Sequence, residues 1–231
     1  MKKLLLLFSC FFLLAGCTNN NQETDDPAKD QNDNSAQGDN SNDTGDGESG
    51  SIVDADEEDA TDNLMFLSYF MKDGTVAHFE GEGNEYATYS ARTKYLDDNY
   101  ISIYEDNGGT VMLRIFRVEE DQVLLVFEQG ERYEELKPNE LALESLEPIS
   151  VYLKAPLEKG SEFDGWTVID TSSSLNTPVK DFENVLVIEK KGEDGTNRRY
   201  FAKGYGEIKR EFIMTSNGTE SKVTSTLSKI D

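Results

Sequence analysis

Cysteine and histidine are nearly absent from this 231-residue sequence, and their scarcity excludes several kinds of chemistry. Cys10 and Cys17 are the only cysteines, so no disulfide or thiolate metal site can form among the residues after Cys17. His78 is the only histidine, which excludes metal sites built from several histidines. The Gly-x-Ser-x-Gly element of many serine hydrolases is also missing, and we interpret His78 as a surface residue. We expect no metal and no cofactor, and we assign no catalytic residue.

Basic residues are scarce as well: 22 Lys and Arg stand against 46 Asp and Glu, a formal net charge of −24. Residues 64–231 alone carry a net charge of −12. Nucleic acid binding requires clustered cations that displace counterions from phosphates, and so acidic a chain repels polyanions. The sequence therefore predicts no nucleic acid partner.

The chain begins with a short leader. Lys2 and Lys3 precede an apolar run over residues 4–14. As a helix this run spans about 16 Å, well short of the ~30 Å hydrocarbon core of a bilayer. A lasting transmembrane helix is therefore disfavoured, and the pattern is typical of a secretory signal peptide over residues 1–16.

The leader ends in Leu14-Ala15-Gly16-Cys17, which resembles the lipobox of bacterial lipoprotein signals. The resemblance implies transfer of diacylglyceryl to the Cys17 sulfur and cleavage between Gly16 and Cys17. Two acyl chains hold a protein on a membrane where one chain does not. We expect a protein that is lipid-anchored at the extracytoplasmic face of the cell membrane. The alternative is an ordinary signal peptide followed by an incidental cysteine.

Residues 17–63 have the composition of a linker. Residues 18–63 contain 15 Asp and Glu and one basic residue, Lys29. Such a segment cannot bury enough apolar surface to offset its ordering entropy, and self-repulsion extends it. We predict a disordered acidic linker that gives reach to the domain after it. The alternative for its densest acidic stretch is calcium binding, although no EF-hand spacing is present. The acids of this stretch are Asp54, Asp56, Glu57, Glu58, Asp59 and Asp62.

Residues 64–231 change to short apolar or alternating runs separated by turns, which is typical of β-strands. A dense apolar run, 64–71, opens this part. The Asn217-Gly218 pair is the strongest hairpin signal, and residues 139–146 fit one short helix. We predict an all-β antiparallel domain with minor helix, forming a curved sheet or half-barrel. The expected strands are 76–79, 86–95, 100–104, 111–118, 123–127, 166–170, 185–189, 198–202, 208–215 and 223–227.

The two halves of this domain repeat a similar order of strands and turns. After Asn99 come a strand, a glycine-rich turn, Thr110 and two further strands, and the same order comes after Asn184 with Thr196 in the matching place. This order predicts a duplicated meander, although two unrelated meanders would align equally well.

Three segments resemble a group of uncharacterised surface lipoproteins from low-GC Gram-positive bacteria. They are residues 80–87, the Asn107-Gly108-Gly109-Thr110 turn and residues 200–206. The last segment is similar to an aromatic-Ala-Lys-Gly-x-Gly element of envelope domains with a half-barrel like that of lipoprotein carriers. Tyr205 and Glu207 depart from that element, where smaller apolar residues are commoner. The resemblance implies a fold and a cell-envelope location, and no activity.

Few residues indicate a binding site. Trp166, the only tryptophan, is expected in the core or at the mouth of a barrel, and five tyrosines are candidates for a concave face or for cross-strand packing: Tyr86, Tyr89, Tyr95, Tyr100 and Tyr104. Seven basic residues cluster near the 192–195 turn: Lys190, Lys191, Arg198, Arg199, Lys203, Lys209 and Arg210. We expect them to pair across strands with Glu189, Glu207 and Glu211, the alternative being a patch for an anionic polymer or acidic partner.

Three functions remain open for the domain. The favoured one is a binding module that holds an apolar ligand, a peptide or an envelope protein in the concavity of its sheet. A carboxylate-dependent envelope hydrolase and a passive structural surface protein are the alternatives. An open pocket lined by aromatic side chains would favour a binding module. Two facing carboxylates with raised pKa would favour an enzyme. Adjacent acids such as Asp97-Asp98 or Glu134-Glu135 are examples of carboxylates that an enzyme of this kind would use.

The lipobox generates the first prediction. Cys17→Ser removes the nucleophilic sulfur, so an uncleaved precursor without lipid is expected, measured by size and by incorporation of labelled fatty acid. Cys10→Ser, inside the leader, is the control and should be processed and labelled normally. Equal labelling of the wild type and the Cys17→Ser variant would contradict the prediction.

Overall fold

The computed structural model describes residues 65–137, 139–216 and 219–231. The signal peptide 1–16, Cys17 and the linker 17–63 with its acidic stretch lie outside these residues, as do both residues of the Asn217-Gly218 turn. The division into signal, linker and domain therefore stays a prediction.

Twelve strands form one sheet in the described part of the chain. They are β1 (Val76–Glu82), β2 (Tyr89–Tyr95), β3 (Tyr100–Asp106), β4 (Val111–Val118), β5 (Gln122–Gln129), β6 (Ser150–Lys154), β7 (Glu162–Phe163), β8 (Trp166–Asn176), β9 (Asp181–Lys191), β10 (Thr196–Ala202), β11 (Gly206–Ser216) and β12 (Thr219–Ile230).

The strand order is β6-β5-β4-β3-β2-β1-β12-β11-β10-β9-β8-β7, and neighbouring strands pair antiparallel. Two six-stranded meanders, β1–β6 and β7–β12, therefore join where β1 pairs with β12. The edge strands β6 and β7 approach each other, so the sheet forms a nearly closed barrel. The prediction of an all-β antiparallel domain is confirmed, and the sheet curves further than a half-barrel.

The strand order agrees with the predicted repetition. Strands β3, β4 and β5 are the third to fifth of the first meander, and β9, β10 and β11 hold the same places in the second. Thr110 immediately precedes β4, and Thr196 begins β10. A duplication as the origin of this order stays a prediction.

Three segments differ from the prediction. The first is the apolar run 64–71, for which no helix was predicted: residues 65–67 are helical and the Phe66 side chain is fully buried. The segment 86–95 divides into a 3₁₀ turn, Glu85–Ala87, and β2, because the Asn84 side chain accepts a hydrogen bond from the Tyr86 N–H. Strands β6 and β7 were not predicted, since prolines and charged residues interrupt the pattern around them.

The predicted helix over 139–146 is reduced to a 3₁₀ turn, Leu143–Ser145. Its leucines pack on the outer face of β3–β5, against Tyr100 and Leu124. Tertiary packing of an irregular segment therefore explains the apolar spacing that suggested a helix. Among the residues that the structure describes, no helix is long and apolar enough to cross a membrane.

The sheet presents apolar side chains on both faces. In β4 the regular alternation places Ile115 in the outer cluster beneath the 130–148 segment and Phe116 in the inner cluster. In β5 the pairing with β4 skips Val126, and because of this bulge Val126 and its neighbour Phe127 both join the outer cluster.

Two glycines with the same backbone conformation generate the second prediction. Gly83 and Gly108 both have φ near +80° (84° and 79°), but a Cβ on Gly83 would lie 2.2 Å from the Lys222 carbonyl oxygen, whereas one on Gly108 meets nothing within 4 Å. An alanine at either position costs about 1–2 kcal/mol for the left-handed backbone. Gly83→Ala should cost about 1–3 kcal/mol more, because β12 has to move. Urea unfolding checks this, and equal midpoints for the two variants would contradict it.

Candidate functional site

A cavity of about 330 Å³ lies inside the barrel. Most strands contribute residues to its lining. Along a strand every second side chain points into the cavity, as Tyr89, Ala91 and Thr93 of β2 illustrate. The segment before β1 contributes Tyr69 and Phe70 to the lining. Because β6 and the start of β8 both line it, the cavity reaches the seam between the two edge strands.

One side of the cavity is an aromatic wall formed by Phe70, Phe116, Tyr152 and Trp166. Tyr152 lies at its centre: its ring centroid is 4.6 Å from that of Phe116 and 6.2 Å from that of Phe70. The Trp166 side chain is largely buried, with 8% of its surface exposed. Aromatic pairs at these distances stabilise one another beyond the area that they bury.

Charged side chains also line the cavity. The Arg210 guanidinium donates to both carboxylate oxygens of Glu105, at 3.1 and 3.0 Å, and to Glu207 at 2.5 Å. Arg114 bonds Glu105 at 3.2 Å and Glu128 at 2.6 Å. We call these five residues the interior ion-pair network. Arg210 keeps 37% of its side chain accessible and lines the cavity.

The network favours the ionised forms of Glu105 and Arg210. Burial by itself would raise the pKa of Glu105, but the positive charges of Arg210 and Arg114 outweigh it and hold that pKa below its usual value. Burial would likewise lower the pKa of Arg210, yet Glu207, Tyr89 and Glu105 raise it well above its usual value. Glu105 and Arg210 therefore both carry their charges at neutral pH.

Tyr89 connects this network to the apolar lining. Its ring stacks on Phe79 with centroids 4.4 Å apart, and the Arg210 guanidinium lies 4.6 Å from its ring centroid. Burial raises the pKa of Tyr89 well above its usual value. The Tyr89 hydroxyl is buried and has no hydrogen-bond partner among the described residues. Such a group adds the cost of an unmade hydrogen bond to the interior.

Five of the seven basic residues near the 192–195 turn pair with glutamates, as expected: Lys191, Arg198, Arg199, Lys209 and Arg210. In the described part of the chain, Lys190 and Lys203 form no such pair. On the outer face Arg198 bonds Glu189 at 2.6 Å, and Lys209 bonds Glu211 at 2.8 Å. The inward position of Arg210 was not predicted, nor was that of Arg199. No single surface patch therefore unites these cations.

A bulge explains the inward glutamate–arginine pair on β11. Tyr200 and Phe201 are adjacent in β10, but the two residues of β11 that pair with them are separated by Ile208, which has no partner in β10. Glu207 and Arg210 are three residues apart and would point to opposite faces of a regular strand, but the extra residue brings both to the cavity.

The other candidates are divided between the two faces. Trp166 and Tyr89 line the cavity, whereas Tyr100 and Tyr104 belong to the outer cluster and Tyr86 is 58% exposed. His78 pairs with Asp231 at 2.8 Å on the surface. In the described ranges no group of three or more His, Cys, Asp or Glu is placed to hold a metal ion.

Each of the two adjacent-acid pairs contains a member that serves structure. The Asp97 carboxylate accepts hydrogen bonds from the N–H groups of Asn99 and Tyr100 and so holds the β2–β3 turn. Glu135 pairs with Arg92 and Lys94 at the surface. Sequence reasoning missed Glu105, although a signal exists, because Glu105 continues the alternating face of Ile101 and Ile103.

The network generates the third prediction. Glu105→Gln leaves Arg210 and Arg114 undercompensated, so a loss of about 2–3 kcal/mol in unfolding free energy is expected. Glu135→Gln, which breaks a surface pair, should lose at most about 1 kcal/mol. The lowered pKa of Glu105 means that its contribution is complete above pH 4.5 and is lost as pH falls through the lowered value. Below pH 4.5 the wild type should therefore lose stability more steeply than the Glu105→Gln variant. The midpoint of urea unfolding, measured for both proteins as pH is lowered, checks this. Parallel curves of midpoint against pH would contradict the prediction.

No protein-family model matches this chain, and no curated protein matches it. Two solved structures are similar to this chain at a low level. A "putative exported protein with YmcC-like fold" from Bacteroides fragilis is 13% identical, with 70% of this chain and 97% of that chain covered at a TM-score of 0.43. A "putative lipoprotein" from Parabacteroides distasonis is 12% identical, with 71% and 98% covered at a TM-score of 0.42. Likeness at this level assigns no function to the chain.

Proposed function

We propose that this protein is a lipoprotein anchored to the membrane through Cys17, whose extracytoplasmic β-barrel binds an amphipathic small molecule in its cavity. The observation that carries the proposal is the lining of that cavity, which combines the aromatic wall with residues of the interior ion-pair network. Ligand sites combine apolar walls with a few placed polar groups in the same way.

The size and rigidity of the cavity support a ligand. A volume of about 330 Å³ falls within the ~300–1,000 Å³ typical of small-molecule sites. Most of the lining residues belong to paired strands, so the site is preformed and little ordering entropy opposes binding.

The carboxylates of the cavity do not favour a hydrolase. A general acid at neutral pH needs a raised pKa, whereas the arginines lower that of Glu105. Glu105 and Glu207 both bond Arg210, which fixes their oxygens in ion pairs. A passive structural role is disfavoured as well, since an apolar filling stabilises a barrel better than buried ion pairs do.

The surface supports a small ligand over a protein partner or peptide. The exposed large apolar side chains of the described residues are Tyr86, Tyr133 and Ile149. Three such residues provide little of the apolar core that a stable protein interface requires.

The anchor and the location rest on the leader. The charged start, the apolar run and the small residues before Cys17 together support export, lipidation and an extracytoplasmic domain. The acidic linker would then hold the barrel away from the lipid surface.

The fourth prediction tests the cavity with N-phenyl-1-naphthylamine, an uncharged aromatic probe. The protein used is the chain from residue 17 with Cys17→Ser, here called the unlipidated chain. Because Trp166 is the only tryptophan and lines the cavity, its emission reports a nearby probe by energy transfer. Saturable binding of one probe per chain is expected.

Two variants that add the same phenyl ring locate the probe. Ala91→Phe places it in the cavity and should abolish binding, whereas Thr171→Phe places it at an exposed position of β8 and should leave binding unchanged. Ala77→Leu is a smaller cavity-filling change in case Ala91→Phe does not fold, which circular dichroism reports. Absence of binding to the wild-type sequence, or unchanged binding after the cavity is filled, would overturn the proposal.

A further inference from the structure

Two cations lie beside the same indole at one end of the cavity. The Arg199 guanidinium carbon is 4.8 Å from the Trp166 ring centroid, and the Lys190 Nζ atom is 5.9 Å from it. Arg199 also lies 5.4 Å from the ring centroid of Tyr152, so two aromatic rings are close to its guanidinium. All four side chains line the cavity.

Arg199 differs from the other arginines of the cavity in its partners. Arg210 makes three hydrogen bonds to carboxylates and Arg114 makes two. Arg199 has one ion pair, to Glu207 at 3.5 Å, and this carboxylate is shared with Arg210 at 2.5 Å. The guanidinium carries five N–H donors, so most of those on Arg199 remain available.

Lys190 is similarly free to accept a partner. Its ammonium donates one hydrogen bond, at 2.7 Å, to the backbone carbonyl of Asp164. An ammonium has three donors, and a backbone carbonyl does not neutralise its charge. Asp164 also lines the cavity, and within the described ranges no ion pair joins its carboxylate to Lys190.

The aromatic rings hold these cations in place without neutralising them. Cation–π contacts orient a guanidinium or ammonium by the ring quadrupole and leave its in-plane or outward donors open. An anion between Arg199 and Lys190 would therefore complete a site whose positive side is already built.

We infer that Arg199 and Lys190, placed by Trp166 and Tyr152, bind the anionic group of the ligand, a carboxylate or a phosphate, while its apolar part lies on the aromatic wall. This inference rests on the proposed function and names the class of ligand: an anionic amphiphile. Arginine forks match both carboxylate and phosphate oxygens, which explains why the site suits either group. Tyr152 touches Arg199 and Phe116, so the anionic and apolar parts of the site are contiguous.

The fifth prediction compares two probes that differ by one anionic group. 1-Anilinonaphthalene-8-sulfonate has the ring system of N-phenyl-1-naphthylamine and adds a sulfonate. In the unlipidated chain, Arg199→Gln and Lys190→Gln should each weaken binding of the sulfonate probe about tenfold, or 1.4 kcal/mol, relative to binding of the uncharged probe by the same variant. Energy transfer from Trp166 measures both affinities.

Lys191→Gln is the matched control, because Lys191 is the next residue of β9 and its side chain is 80% exposed. It removes the same charge outside the cavity and should change neither affinity. If neither probe binds, the proposed function fails. If the uncharged probe binds but the cavity variants and the control affect the sulfonate probe equally, the anionic site is refuted and the cavity remains a binding site.

Competition distinguishes the sources of the anionic group. Dodecanoate and dodecyl phosphate are tested for displacement of the sulfonate probe, with dodecanol as the uncharged comparison. Displacement by either anion at concentrations at least tenfold below that of dodecanol supports the inference and identifies carboxylate or phosphate. Equal displacement by dodecanol overturns it.

Discussion

The charge of Arg210 inside the barrel is the constraint on which the cavity depends. A cation in this position is tolerable only when carboxylates surround it, and Glu105 and Glu207 do so from β3 and β11. These strands lie on either side of the β1–β12 junction, so the ion pairs connect the two meanders across the interior. The charges also keep apolar side chains from filling this space, which is why a barrel of this size retains a cavity.

The aromatic wall makes another part of the cavity lining apolar. Phe70 comes from the segment before β1, Phe116 from β4, Tyr152 from β6 and Trp166 from the start of β8. Residues distant in sequence thus meet near the seam of the barrel, where the sheet is least continuous. A site with both apolar and charged lining would discriminate amphipathic molecules from purely apolar ones. Such a role agrees with the lipid anchor that we propose at Cys17.

Much of the sheet could be predicted from the sequence, because regular alternation reports strand position directly. The prediction for β4 matches the observed Val111–Val118, whereas β6 was missed because Pro148 and Pro156 flank a run of only five residues. The site was harder. Trp166 was expected at a core or barrel mouth, but the inward turn of Arg210 depends on the bulge at Ile208. A one-residue bulge reverses the facing of every later side chain in its strand, and periodicity alone does not locate it.

The pairing of β1 with β12 places strands from opposite ends of the domain side by side at the middle of the sheet. Each meander can assemble from neighbouring hairpins as the chain emerges, but this junction requires β12 to have been synthesised. Until then β1 has an open edge able to pair with another chain. The barrel therefore acquires its enclosed interior in the last step of assembly, and a chain interrupted before Thr219 would have no interior at all.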